Sequence, residues 1–294
     1  MHIANPMYDA IFKHLLEDTV SAKLILGAIL GEEIETLELA PQESAVLVKP
    51  REDDVVGLTV QRIDFAATVR TAAGERLRVL VEVQKSHYSA DVMRFRRYLG
   101  QHYADERAYV TVAGGGERRH PLRLTTIYFL GRRLPCTDAT VLKVTREYLD
   151  AVTGERLEVR EAFVESLTHE CYVVQVPLLT ERRRTDLERL LSVFDQALCT
   201  DNRYVLEVDE TRMPPEYAPV LRRLQGAAAS REFEASMRLE DEVVGEWRRM
   251  EHDIEEHKET IAQQQEALAQ RDEALERKQA EIEELRRRLD REGR

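Results

Sequence analysis

A mixed α/β domain over residues 1 to about 230, followed by a charged helical tail over residues 231–294, is the architecture this sequence predicts. Three observations carry it. Apolar residues at helical spacing alternate along the chain with short apolar runs at strand spacing. Two of the strand runs, Val60–Val69 and Leu77–Gln84, are joined through Thr71-Ala72-Ala73-Gly74-Glu75, which reads as a tight connection. From Trp247 onward one apolar row returns every seven residues. A chain of 294 residues that is 43% hydrophobic suffices for one sizeable core and an appendage.

The elements follow in order. Asn5-Pro6 reads as an N-cap with proline in the first turn, and Ile11, Phe12, Leu15 and Leu16 supply the apolar stripe of a helix from Pro6 to Glu17. Thr19 or Ser21 caps a second helix through Leu24, Ile25, Ala28 and Ile29, which Gly31 closes. Ile34–Leu39 alternates like a strand, and the hairpin Val60–Gln84 comes next. After Ser86 the period changes: Val92, Phe95, Leu99 and Tyr103 share one face of a helix from Ser89 to Arg107, with Arg94, Arg97 and Gln101 on another. Gly114-Gly115-Gly116 is a loop without the GK[ST] of a phosphate loop, and Leu122–Leu130 is an apolar strand expected inside the sheet. Lys143–Leu149 and Arg156–Ala162 flank a Thr153-Gly154 turn, Cys171–Pro177 is a further strand, Thr185–Ala197 a helix, and Pro215–Ala229 a short one. The tail carries the row Trp247, Ile254, Ile261, Leu268, Leu275, Ile282 and Leu289. Its companion row, Met250, His257, Gln264, Arg271, Lys278 and Leu285, is apolar only at its ends. One long self-associating helix, with a coiled coil weak at mid-length, is expected.

Composition narrows the functional classes. Cys136, Cys171 and Cys199 match neither a metal pair nor a disulfide framework, so reduced thiols are expected. The N-terminus lacks the uninterrupted apolar run of a secretory signal, and no stretch approaches membrane-spanning length. A soluble, reducing compartment, the cytoplasm, is the resulting expectation. The eight histidines form no paired ligand spacing, which argues against zinc. The net charge of −12 argues at first against a polyanionic partner, but it is unevenly spread. Residues 76–133 carry twelve Lys or Arg against five Asp or Glu, whereas residues 231–294 carry thirteen against twenty. The basic middle reads either as a solvated face or as a phosphate-facing one.

The informative text lies beside that basic stretch. It is Arg62-Ile63-Asp64-Phe65, then Val79-Leu80-Val81-Glu82-Val83-Gln84-Lys85. Strand residues alternate faces, so Glu82 and Gln84 project together while Val81 and Val83 point away. With Asp64 they would form an oxygen cluster suited to Mg²⁺ or Mn²⁺, hard ions that accept few protein ligands and bridge to phosphates. Carboxylates held by salt bridges to nearby arginines are the structural alternative. Through NPMYDAIFKHLLED, APQE, RIDFAATV, LVEVQKS and MRFRRYLGQHY the chain resembles the PD-(D/E)XK nuclease-like transposase group, the Rpn-type recombination-promoting nucleases. The resemblance is dense over about the first 110 residues and loose over the next hundred.

The resemblance implies a restriction-endonuclease-like mixed central sheet flanked by helices, metal-dependent DNA hydrolysis, and Asp64 and Glu82 as metal ligands. Gln84 stands where the general motif has lysine, although the Rpn-type subgroup commonly shows ExQ; an amide orients water or completes the metal shell but cannot act as a base. Lys13, one helical turn after Asp9, is the candidate for the missing positive charge. Asp9 matches the acidic position of the family's opening helix and reads either as a third metal-side carboxylate or as a surface partner of Lys13. The helix after the motif borders the groove in such domains, so Arg94, Arg97 and Tyr98 are expected DNA contacts, with packing as the alternative for Tyr98, and Lys85 is counted with them although strand alternation turns it away from Glu82 and Gln84.

Overall fold

The computed structural model describes residues 1–40, 43–48, 57–62, 64–84, 89–105, 109–112, 118–180 and 183–292. The chain divides into two compact units, Met1–Met237 and Arg238–Arg294. The first unit opens with strand β1 (His2–Ala4), helices α1 (Asp9–Glu17) and α2 (Thr19–Leu30), and strand β2 (Ile34–Leu39). It continues through the hairpin β3 (Glu43–Val48) and β4 (Gly57–Arg62), the hairpin β5 (Phe65–Thr71) and β6 (Arg76–Gln84), and helix α3 (Ser89–Tyr103). Then come β7 (Tyr109–Val112), β8 (Arg118–Pro121), β9 (Arg123–Leu130), β10 (Val141–Val144), α4 (Ala162–Leu167) and β11 (His169–Gln175). Helix α5 (Asp186–Leu191), strand β12 (Val205–Glu207) and helix α6 (Ala218–Ala228) complete the set before α7 (Arg231–Glu292).

Six strands form the central sheet in the order β10-β11-β9-β6-β5-β2. β9 lies parallel to both β6 and β11, whereas β5–β6, β2–β5 and β10–β11 are antiparallel, so the sheet is mixed. This matches the expected mixed α/β class, and the Leu122–Leu130 run does lie inside the sheet. On one face, odd-numbered residues of β5 and β6 such as Phe65, Ala67, Val79 and Val81 join the main core with α1, α2 and α6. Phe12, Phe129 and Phe194 meet at its centre with ring centroids 4.5–6.2 Å apart. On the opposite face Ala40, Ala66, Leu80, Phe95 and Tyr98 form a small second cluster beneath α3.

Several element boundaries differ from those the sequence suggests. Helix α1 starts at Asp9 with Tyr8 at the N-cap, because Asn5 is committed elsewhere. The Asn5 amide donates to Gln196 Oε1 at 2.8 Å and to the Arg203 carbonyl at 3.0 Å, beside the β1–β12 pair, and its oxygen accepts from Met7 N–H. Asp18, not Thr19 or Ser21, caps α2 by accepting from the Ser21 amide and hydroxyl, and Gly31 closes that helix in the left-handed region at φ 75°. The single strand expected over Val60–Val69 is two strands: β4 ends at Arg62 in its own hairpin with β3, and β5 begins after a bend at Asp64. The tight connection is present, with Gly74 at φ 83°.

Helix α3 ends at Tyr103, four residues before Arg107, and β11 ends at Gln175, where a 3₁₀ turn begins. The helix expected over Thr185–Ala197 is α5 followed by two 3₁₀ turns, and the one expected from Pro215 begins at Ala218 after another. Gly154 occupies a turn at φ 75°, flanked by only the isolated bridge Leu149–Arg156. The Gly114–Gly116 loop lies outside the described residues. All three cysteines are free thiols. Among the described residues no helix is long and apolar enough to cross a membrane.

Helix α7 is continuous over 62 residues. Its first two turns belong to the first unit, where Met237 is 2% exposed and the Phe233 ring lies 4.5 Å from that of His14. In the second unit the seven-residue row is open to solvent: Ile254, Ile261, Leu268, Leu275 and Ile282 are each between 49% and 58% exposed.

Candidate functional site

The register of β5 on β6 builds the site. Phe65 pairs with Val81 and Ala66 with Leu80, so Asp64, one residue before β5, falls opposite Glu82. Ala66 and Leu80 face α3, and alternation along β6 puts Glu82 and Gln84 on that same face, while Asp64 stands at the bend that precedes β5. The Val83 N–H donates to Asp64 Oδ2 at 2.7 Å, which turns the partly buried aspartate against the end of β6. Glu82 is 4% exposed. Gln84 is partly buried, and its carbonyl accepts from Gly131 N–H at 2.8 Å, fixing the strand end that presents the amide.

Burial, and next the Glu82 carboxylate, push the Asp64 carboxyl well above the usual carboxylate range. The Val83 N–H works against that shift, Asp9 adds to it and Lys13 opposes it. Asp9 and Lys13 of α1 therefore stand within electrostatic reach of Asp64. They are also each other's partners, with Lys13 Nζ 2.6 Å from Asp9 Oδ2 and the lysine side chain only 10% exposed. The pair is an ion pair along one helical turn with the lysine largely buried, and both of its members act electrostatically on Asp64.

Tyr128 is a site neighbour that sequence reasoning missed. In the parallel pairing of β6 with β9 it stands beside Glu82, and its ring lies 4.4 Å from that of Phe95 on α3. Burial, reinforced by Cys171 and Glu82, raises its phenol above the ordinary tyrosine range, so it stays protonated. Nothing local in the Arg123–Leu130 run marks Tyr128. Only the long-range register brings it to the carboxylate.

The proposed nucleic-acid contacts divide. Arg97 is exposed on α3. Arg94 belongs to the same helix, but its side chain and all of Lys85 lie outside the described residues. Tyr98 is a correction: it is 5% exposed within the cluster of Ala40, Ala66, Leu80 and Phe95, and a ring so enclosed offers no face for a base to stack on. Tyr103, placed by helical spacing on the same face as Phe95, is 37% exposed, with its hydroxyl 2.9 Å from His169 Nδ1. Helix α3 rotates Tyr98 inward in its place.

The donor set fits a hard divalent cation. The Asp64 and Glu82 carboxylates and the Gln84 amide are oxygen donors gathered at one end of the β5–β6 hairpin, and the Glu82 charge, second to burial in raising the Asp64 carboxyl, is one that a cation would offset. Among the described residues no group of three or more His, Cys, Asp and Glu gathers into a cage. Mg²⁺ needs none, since it is ordinarily held by one or two carboxylates with water and substrate phosphate completing the shell.

Comparison of the chain with protein-family models, with curated proteins and with solved structures returned no match in any of the three.

Proposed function

We propose that the chain is a Mg²⁺- or Mn²⁺-dependent DNA endonuclease of the PD-(D/E)XK, Rpn-type kind that its motifs resemble. The observation that carries the reading is the meeting of Asp64 and Glu82 across one strand pair, close enough that the Glu82 charge alters the titration of Asp64. Asp64 and Glu82 hold the cation, and Gln84 orients a water or completes the shell from the same face. When bound, the ion polarises a phosphoryl oxygen and lowers the pKa of a coordinated water. Lys13 supplies the positive charge that Gln84 lacks, and Asp9 holds the lysine in place. Arg97 is on the exposed side of α3, where a guanidinium fork can meet backbone phosphate, and Arg94 and Lys85 are assigned the same role from the sequence.

Incubation of the purified protein with plasmid, with and without Mg²⁺ or Mn²⁺, tests the reading. Nicking or linearisation that requires the metal and disappears in both Asp64→Ala and Glu82→Ala is the expected result, since each variant removes a ligand outright. Cleavage undiminished in those two variants would refute the assignment.

A second reading is favoured by Gln84 itself, which provides neither charge nor base: a domain that binds nucleic acid or protein without cutting. Calorimetric titration separates the two. The nuclease shows Mg²⁺ or Mn²⁺ affinity that depends on Glu82, and a binding module shows none.

A further inference from the structure

The second unit exposes a stripe that a lone helix has no reason to carry. At 62 residues α7 extends roughly 90 Å at 1.5 Å per residue, and being unbroken it cannot fold back to cover its own apolar row. Ile254, Ile261, Leu268, Leu275 and Ile282 leave about half their surface in water. Five large aliphatic side chains in one register position, spaced by seven, have the geometry of a coiled-coil a row.

We propose that this face is occupied by α7 of a second copy of the chain, parallel and in register. The asymmetry between the two rows selects this arrangement. In a parallel in-register pair each a residue packs against the same a residue of its partner, so every a layer from Ile254 to Ile282 is wholly apolar. In an antiparallel pair a-row residues meet d-row residues instead. The mid-length d row is His257, Gln264, Arg271 and Lys278, so an antiparallel arrangement buries polar or charged groups against all but one of those aliphatic residues. Parallel pairing leaves the d residues facing their own kind at the seam, where long Arg271 and Lys278 stems lie over the a row and carry their charges outward.

Charge complementarity points the same way. With Ile254 at position a, Asp253 is at g and Lys258 at the following e, the pair that faces across a parallel dimer. By sequence Glu281 and Arg286 stand in the same relation near the other end. Each opposite-charge match occurs twice by symmetry.

The test uses the full-length chain carrying Cys136→Ser, which removes the exposed thiol. In that background Ile261→Cys places one thiol in the proposed seam, and Ala262→Cys places one beside it, facing out. Under mild oxidation the Ile261→Cys chain is expected to form a covalent dimer, and Ala262→Cys is expected to stay monomeric on a non-reducing gel. Light scattering of the native chain should give twice the 34.0 kDa of one copy, and Leu268→Arg should lose that dimer while keeping its helical circular dichroism. A single-chain mass at every concentration would overturn the proposal, as would a dimer that survives Leu268→Arg. Cross-linking of an Ile254→Cys, Ile282→Cys double variant solely between unlike positions would overturn the parallel register.

Discussion

Asp64 is where burial and like charge act hardest on a single group. Its folded-state carboxyl titrates well above the unfolded value of 3.8, so the folded chain holds that proton more tightly than the unfolded one. The corresponding stability is fully present below pH 3.8 and is lost as the pH rises through the folded pKa. Above pH 3.8 the carboxyl therefore favours the unfolded chain, where it ionises more readily. Asp64→Asn keeps an acceptor for the Val83 N–H and removes the charge, so it should stabilise the metal-free chain at neutral pH by on the order of 1 kcal/mol. The gain should vanish as the pH falls toward 3.8. Added Mg²⁺ should raise the melting temperature of the native chain and leave that of the variant unchanged. Melting curves of the two proteins that superimpose at every pH would show that the carboxylate is not under this strain.

At the scale of elements, the attachment of α4 to the sheet rests on one acid. Glu165 receives Arg146 and Arg123, the latter at 3.3 Å, and accepts the Tyr148 hydroxyl at 2.8 Å; its side chain is 7% exposed. Arg123 also reaches Glu75 at 2.7 Å, and Arg146 donates to the Thr168 carbonyl at 2.8 Å, so strand β9 and both ends of the 146–168 segment share the network. Glu165→Gln leaves two largely enclosed guanidinium groups short of charge and should cost about 2–3 kcal/mol, near the lower end for breaking a buried pair because neither arginine is fully buried. Asp186→Ala removes a comparable-looking pair with Arg189, but those side chains are 60% and 40% exposed, and the cost should stay below about 1 kcal/mol. Urea titration of the two variants checks the contrast, and equal midpoints would show that burial is not what separates them.

For the molecule as a whole, the division between the globular unit and the helical unit falls inside α7. Met237 and Phe233 pack on the core and belong to the first unit, although the compositional tail begins at Arg231. A chain ending after residue 240 should therefore retain the thermal stability of the globular unit. One ending after residue 230 gives up both side chains and should lose about 2–4 kcal/mol, read as a melting temperature lower by several degrees. If the two truncations melt alike, the first turns of α7 contribute nothing to the core. The parallel pairing proposed for the remainder of α7 involves a row that does not overlap Met237 or Phe233, so the two roles of the helix can be tested separately.

Sequence by itself determined what depends on neighbours along the chain. Alternation within β6 put Glu82 and Gln84 on one side, Gly31 and Gly74 marked backbone positions of positive φ, and the seven-residue row of α7 was visible before any packing was known. These follow from local dihedral geometry, which a few residues define. The tertiary structure alone decided the rest. It brought Asp64 opposite Glu82, set Tyr128 beside that carboxylate, drew the Asp9–Lys13 pair into the same field and turned Tyr98 into the core. It also gave the capping of α2 to Asp18 and diverted Asn5 to Gln196 and Arg203. Register between separate strands, and the choice of which side of a helix is covered, are fixed by the burial of distant apolar groups against one another, and no window of neighbouring residues contains that information.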